Sequence, residues 1–283
     1  MIKDIKKAEP QYKMNELCRV FNVSLSSYYY HPVKASVATT KVMTLINNIS
    51  IDSGNSYGKR RIHAELIELG HEIGLHKTRT FMKKLNIKAI RPKKRHYYPS
   101  SGNEHTYAPN LLKRHFNPVS INTHWVGDIT YLKTHQGWSY LACVLDLASK
   151  EIVGYALSQT PDAKLANEAL LDAVNRQQPN TRKLMFHSDQ GVQYSAKIFK
   201  DKLALLNVTQ SMSRRGNCWD NAVMERFFRS LKTERLNNIT FINHPSVVDE
   251  VESYIRFYNY KRRHSSIEYM TPHQKYNKLK NVA

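Results

Sequence analysis

The feature that most constrains this chain is a change of hydrophobic period near residue 122. Beyond it, residues 125–132, 138–147 and 151–159 are β-branched or aromatic runs separated by short polar turns, the pattern of three neighbouring strands in a meander. Residues 163–177 then return to helical spacing, with Leu165, Ala169, Leu170 and Ala173 on one face. A short apolar run at 184–187 is bounded by Ser188-Asp189, and a helix over 195–206 precedes a further strand around Val208. A meander followed by alternating helix and strand predicts an α/β layer fold with a mixed sheet.

The N-terminal part reads as short helices. Residues 13–20 form an amphipathic segment, Phe21-Asn22-Val23 a turn, and Ser24 the cap of a second segment running to residue 30. A second pair places Ile62, Leu66 and Leu69 on one face of residues 59–69, breaks at Gly70, and resumes over 76–85 with Phe81 and Leu85 four apart. Outer faces carry Lys59, Arg60, Arg61, Lys77, Arg79, Lys83 and Lys84. Helix-turn-helix spacing with such cations suits a helix in the major groove and neighbours on phosphate; the plainer alternative is a helical hairpin with a solvated basic face. Periodicity is lost over 91–118, where Lys93, Lys94 and Arg95 stand beside Tyr97 and Tyr98. We read a basic linker that contacts a DNA backbone rather than one that only solubilises. The expected organisation is a helical DNA-binding region over 1–90, a linker over 91–121, a catalytic core over 122–240 and a helical basic extension over 241–283.

Charge narrows the partners. The 283 residues include 43 Lys or Arg against 23 Asp or Glu, a formal net charge of +20. Lipid binding favours a basic amphipathic helix or a juxtamembrane cluster, whereas these cations are spread over several short elements interleaved with tyrosine, so nucleic acid is the expected partner. No apolar run approaches the roughly 20 residues of a membrane span, which argues against a membrane protein. The charged N-terminus and the three well-separated cysteines Cys18, Cys143 and Cys218 point to a reduced cytoplasmic compartment.

In so basic a chain, carboxylates at strand ends need a reason. Asp128 lies within WVGDITY, where an ionised group is costly unless paired or metal-bound; Asp189 follows LMFHS at a strand's C-terminal end. Glu225 lies on a helix whose apolar face is Val223, Phe227 and Leu231, and it points the other way, with Arg229 and Lys232 on its own side. Singly, Asp128 pairing a buried cation, Asp189 capping a helix and Glu225 as a solvated acid are adequate explanations. Together the three fit Mg²⁺, because hard divalent cations prefer oxygen and a pair of them can flank a phosphorus under in-line attack. Lys232 is placed to hold a phosphate beside them.

The blocks WVGDITY, FHSDQGVQYSA, SMSRRGNCWDNAVMERFFRSLKTE and FYNYKRRHSSIEYMTP resemble the catalytic-frame (OrfB-type) transposases of bacterial insertion sequences, in the DDE transposase and retroviral-integrase superfamily. The resemblance covers most of the chain. It implies a ribonuclease-H-like catalytic domain with a mixed five-stranded sheet, and Asp128, Asp189 and Glu225 as its metal-binding triad. It also implies Mg²⁺ as cofactor, with Mn²⁺ able to substitute. The 35 residues between Asp189 and Glu225 match the family's D-35-E spacing, and Lys232 matches the basic position beyond the glutamate. Implied partners are DNA, both element terminal inverted repeats and target, a second copy of the chain on DNA, and the product of an upstream frame. A nucleoid-associated bacterial protein is expected. Alternatives are a DNA-binding regulator or inactive relic, or a ribonuclease-H-like nuclease.

Smaller readings complete the sequence. Asp146 is expected to accept a turn amide before Lys150 rather than to join the triad. A Ser188/His187/Asp189 nucleophile is rejected because adjacent strand residues point to opposite faces. With scattered histidines and no cysteine pair, no structural zinc is expected. In SRRGNCWDNA, Arg214 and Arg215 are expected to grip DNA on a flexible loop delivering the Glu225 helix, the plainer alternative being a polar surface turn leading to a helix capped by Asp220. Tyr258, Asn259, Arg262 and His264 match the family's C-terminal YN-x-x-R-x-H pattern. Arg262 is taken as a DNA contact, with packing of the C-terminal helix as the equal alternative.

Overall fold

The computed structural model describes residues 1–30, 36–90, 107–215 and 217–281, apart from the side chains of Cys218 and Asn238. The linker cations Lys93, Lys94 and Arg95 lie outside the described residues. The chain divides into two compact units, Met1–Thr44 and Leu45–Ala283.

The first unit holds α1 (Ile2–Ala8), α2 (Met14–Val20), α3 (Leu25–Tyr28) and the start of α4 (Val37–Asp52). Asn22 turns the chain with φ 52°, and the Ser24 hydroxyl caps α3 by accepting from the Ser27 amide at 3.0 Å. The expected second segment is only one turn long, because serine hydroxyls bonding locally compete with helix propagation and Tyr29 already ends it. A single turn is too short to act as a recognition helix. The sequence reading missed α4: Val37, Thr39, Thr40, Val42, Thr44, Ile46 and Ile49 are β-branched, so local propensity argues against the helix that packing makes.

In the second unit, α5 (Lys59–Glu68) and α6 (Leu75–Lys84) form the expected helix pair, burying Ile62 and Leu66 on one side and Phe81 and Met82 on the other. Leu69 departs from the expectation. The helix stops at Glu68, Gly70 reverses the chain at φ 78°, and Leu69 is 54% exposed.

The sheet comprises β1 (His124–Thr134), β2 (Gly137–Asp146), β3 (Ile152–Ser158), β4 (Met185–Ser188) and β5 (Thr209–Met212), in spatial order β3-β2-β1-β4-β5. The first three strands are antiparallel neighbours, while β4 joins β1, and β5 joins β4, in parallel. A parallel neighbour needs a crossover, supplied by α7 (Ala163–Gln177), whose first turn is capped by Asp162. The helix expected over 195–206 is two, α8 (Val192–Ser195) and α9 (Lys197–Leu205), separated at the extended Ala196. After β5 come α10 (Ala222–Glu234), α11 (His244–Tyr260) and α12 (Pro272–Lys280).

Both faces of the sheet are covered. Trp125, Ala142, Val144, Val153 and Phe186 pack with α7 and α9 on one face. Val126, Leu141, Cys143 and Leu145 pack with α10 and α11 on the other. Strand β2 is therefore apolar along nearly its whole length rather than alternating. At Gly154 a Cβ would run into the backbone of α7 at Ala169 and Ala173, so glycine there sets how closely helix and sheet approach. Two segments that the sequence set outside the catalytic core pack against it. The segment after residue 241 is no appendage, because Val247, Val251, Tyr254 and Tyr258 of α11 are core residues and Asn259 bonds both the amide and the carbonyl of Ile152. The end of the linker is likewise packed: Leu112 is buried, and the Ser211 hydroxyl accepts from the amides of Leu111 and Leu112.

Candidate active site

Alternation along β1 places Asp128 on the same face as Val126, the face covered by α10, with Cys143 of β2 directly opposite. The parallel register pairs Val126 with His187. Carried two residues further, it aligns Asp128 with Asp189, just where β4 has left the sheet. Two carboxylates thus meet at the point where the sheet opens, for reasons of register alone. Helix α10 crosses this face. Met224, Phe227, Phe228 and Leu231 bury into the core, Val223 is only partly covered, and Glu225 and Arg229 are exposed on the other side.

The electrostatics show that these groups share one neighbourhood. Burial, then the charges of Asp189 and Glu225, push the Asp128 carboxyl well above the usual carboxylate range, against the Ile129 amide and the Lys232 charge. Burial also raises Asp189, which the Gly191 amide opposes by donating at 2.9 Å. Glu225 is raised by burial and by Asp189. Asp189 and Glu225 remain open to solvent, so the carboxylates line a cleft whose walls limit their hydration without closing it. The buried Tyr194 hydroxyl is pushed up by burial first and then by both aspartates, and the buried Cys143 thiol by burial and then by Asp128. Sequence reasoning missed Tyr194 at the site; a tyrosine in FHSDQGVQYSA carries no local mark of its partner.

Among the described residues, no three His, Cys, Asp or Glu side chains stand close enough together to enclose a metal ion. The donor set nevertheless fits a hard divalent cation in chemistry: three carboxylates, oxygen only, destabilising one another as anions.

The remaining sequence candidates separate into groups. Arg214 and Arg215 are both exposed on the loop before α10. Arg214 is bound to the buried Asp220, which also takes a hydrogen bond from Asn110 and an ion pair from Arg114. Asp220 is therefore not the cap of α10 but an anchor, held well below the carboxylate range by Arg214 and Arg114. Asn110 and Arg114 come from the supposed linker, which only the tertiary structure brings there. Arg60, Lys77 and Arg79 are exposed on α5 and α6, whereas Arg61 is half-buried and lies 3.6 Å from Glu234. Arg262 is corrected. It is 3% exposed, bonds Glu234 through two nitrogens at 2.6 and 2.7 Å, and donates to His264 at 2.8 Å, so the C-terminal pattern packs α11 against the core. Asp146 has the structural role expected: buried, it accepts from the Ser149 amide and hydroxyl and from the Asn122 amide. His187 is enclosed between the hydroxyls of Ser211 and Ser213, and burial pushes it down to about 4. No described helix is long and apolar enough to cross a membrane.

Comparison with known proteins identifies the family. Family models described as "Integrase core domain" match residues 119–218 and 206–272, and one described as "HTH-like domain" matches residues 39–95. The chain is 35% identical over 261 residues to the insertion element IS600 uncharacterized 31 kDa protein of Shigella sonnei, covering 90% of this chain and 96% of that one. It is 34% identical to the putative transposase InsK for IS150 of Escherichia coli, with 92% of each chain covered. It is 32% identical to the transposase InsF for IS3A of the same organism, with 97% of each covered. Among solved structures, the integrase catalytic core domain of HTLV-2 in complex with magnesium is 16% identical and has a TM-score of 0.44, covering 56% of this chain and 97% of that one. With a helix-turn-helix-like region ahead of an integrase core and near-full-length relatives at this identity, the chain belongs to the DDE transposases of bacterial insertion sequences, enzymes of the polynucleotidyl transferase class.

Proposed function

We propose that the chain binds the terminal inverted repeats of an insertion element, cleaves one strand to free a 3′-hydroxyl, and transfers it to target DNA. The observation that carries this reading is that Asp128, Asp189 and Glu225 share one open cleft beside Lys232, where burial raises all three and the Asp189 charge raises Asp128 and Glu225 further. Asp128, Asp189 and Glu225 would hold divalent cations, Mg²⁺ or Mn²⁺. When bound, these supply activation of water or of the 3′-hydroxyl and stabilisation of the leaving oxygen. The protein's own residues do the rest. Asp128 and Asp189 must be unprotonated to act as ligands. Lys232, close enough for its charge to reach Asp128, holds a phosphate beside them, and Arg229 extends that cationic side of α10. Arg214, fixed by Asp220, and Arg215 stiffen and charge the loop leading to α10. Arg60, Lys77 and Arg79 on the helix pair contact the DNA ends.

Joining two ends requires at least two copies of the chain on DNA, and the upstream-frame product of the same element is a further partner. The reading is tested by cleavage and joining of labelled DNA bearing the element's inverted repeats in Mg²⁺ and in Mn²⁺. Asp189→Asn is expected to abolish both reactions while leaving duplex binding within a small factor, since binding rests on phosphate contacts. Equal loss of binding would make Asp189 a folding residue instead of a ligand.

A further inference from the structure

On a different side of α10 from Glu225, Arg226 and Ser230 open onto a second cleft of about 400 Å³. Its lining includes Arg61, Lys150, Arg226 and Arg262 but no aspartate or glutamate. Glu234 lies behind the lining, bonded to Arg262 and 3.6 Å from Arg61, so one carboxylate serves two guanidinium groups. The Lys150 ammonium donates only to neutral oxygens, the carbonyls of Phe116 and Leu147 and the amide oxygen of Asn117, at 2.6 to 3.1 Å. Asp146, whose charge reaches it, is engaged by backbone amides and Ser149. His264, buried in the wall, is driven well below its ordinary value, first by burial and then by Arg262, Arg61, Lys150 and Arg226. Arg61, Lys150 and Arg226 therefore act on one small volume with their countercharge incomplete, above Arg262, which Glu234 holds. Ser265 and Ser266 line the same space, and a neighbouring cleft shares Arg61 and Ser265 and continues the cationic lining to Lys59 and Arg60 at the start of α5.

Cations crowded around one cleft with a single shared carboxylate behind it call for an anion. Guanidinium forks, an ammonium and serine side chains on an open groove match the oxygens of a phosphodiester. We propose that this cleft is a second phosphodiester-binding site, separate from the carboxylate cleft, that grips the backbone of bound DNA between α10 and the start of α5. The assignment rests on the strand-transfer reading above. One helix would then hold the reacting strand on one side and anchor duplex on another, with Glu234 fixing the guanidinium floor.

The test uses the full chain and a mixed-sequence DNA duplex. Arg226 is exposed, so Arg226→Gln should melt as the unaltered chain does. Its plot of log affinity against log salt should be shallower by about 0.9, as expected when one phosphate fewer is neutralised by the protein. In the unaltered chain, phenylglyoxal modification of Arg226 and Arg60, read by peptide mass spectrometry, should fall severalfold when duplex is bound. An unchanged slope with undiminished modification, in a chain that still binds and cleaves end DNA, overturns the cleft and leaves the transposase reading standing. Equal protection by inorganic phosphate at matched phosphate concentration overturns the phosphodiester assignment in favour of a simple anion site. Failure of the unaltered chain to bind any duplex, or cleavage surviving Asp189→Asn, overturns the parent reading.

Discussion

At the scale of single residues, the carboxylate cleft trades stability for chemistry. A carboxyl raised on folding binds its proton more tightly in the folded state, so as an anion above that raised value it opposes folding. The cost fades as pH falls towards the ordinary carboxylate value. Asp128→Asn removes the anion, and in the absence of divalent ions at pH 7 it should stabilise the protein by roughly 1 kcal/mol, a thermal midpoint a few degrees higher, while abolishing cleavage. A lower midpoint in a metal-free melt would show that Asp128 is a structural partner. Glu234 has the opposite sign. Burial pushes it up, but the hydrogen bonds and charge of Arg262, with Arg61, outweigh this and hold it below its ordinary 4.5. Its stabilisation is complete above 4.5 and is lost as pH falls through the lower folded-state value. Glu234→Gln should cost about 3 kcal/mol at neutral pH, because Arg262 is left buried without its anion, and should flatten the acid limb of stability in urea unfolding across pH. An unchanged acid limb would remove Glu234 from that role.

At the scale of elements, α10 carries three environments on one cylinder. Met224, Phe227, Phe228 and Leu231 enter the core, Glu225 faces the carboxylate cleft, and Arg226 and Ser230 face the second cleft. Lys232→Ala should weaken positioning of end DNA more than it weakens metal binding. Full activity on end DNA in a cleavage assay would place Lys232 outside the site. The seam between β3 and α7 depends on a missing side chain. Gly154→Val puts bulk where the backbone of Ala169 and Ala173 already lies, and it should destabilise by at least ~2 kcal/mol in denaturant unfolding. Full stability would mean that the seam yields.

At the scale of the molecule, the helix pair α5 and α6 is bound to the catalytic unit by buried polar contacts. Tyr57 donates to the Lys261 carbonyl and accepts from the Arg263 amide, and Arg263 pairs with Glu65 and Glu68. The carboxylate cleft is the place where a small ion should feed back on global stability. Adding Mg²⁺ or Mn²⁺ should raise the thermal midpoint of the unaltered chain in proportion to the logarithm of ion concentration, and Asp189→Asn should remove most of that rise. Equal responses in the two proteins would place ion binding elsewhere.

The order of the strands after residue 122 and the helix α7 were legible in the sequence, because each is written in local periodicity, and the three carboxylates of the proposed site stood out there by their place and spacing. The helix α4 was not, since its β-branched residues are helical only by packing. The loop anchor Asp220 was not, because Asn110 and Arg114 lie a hundred residues away. Arg262 read equally as a surface cation or a packing residue, and one ion pair with Glu234 decided it. Local pattern determines which elements form and which faces they present. Only the folded chain decides which charges are neutralised and which are left to a ligand, because that depends on groups distant in sequence meeting where water is scarce.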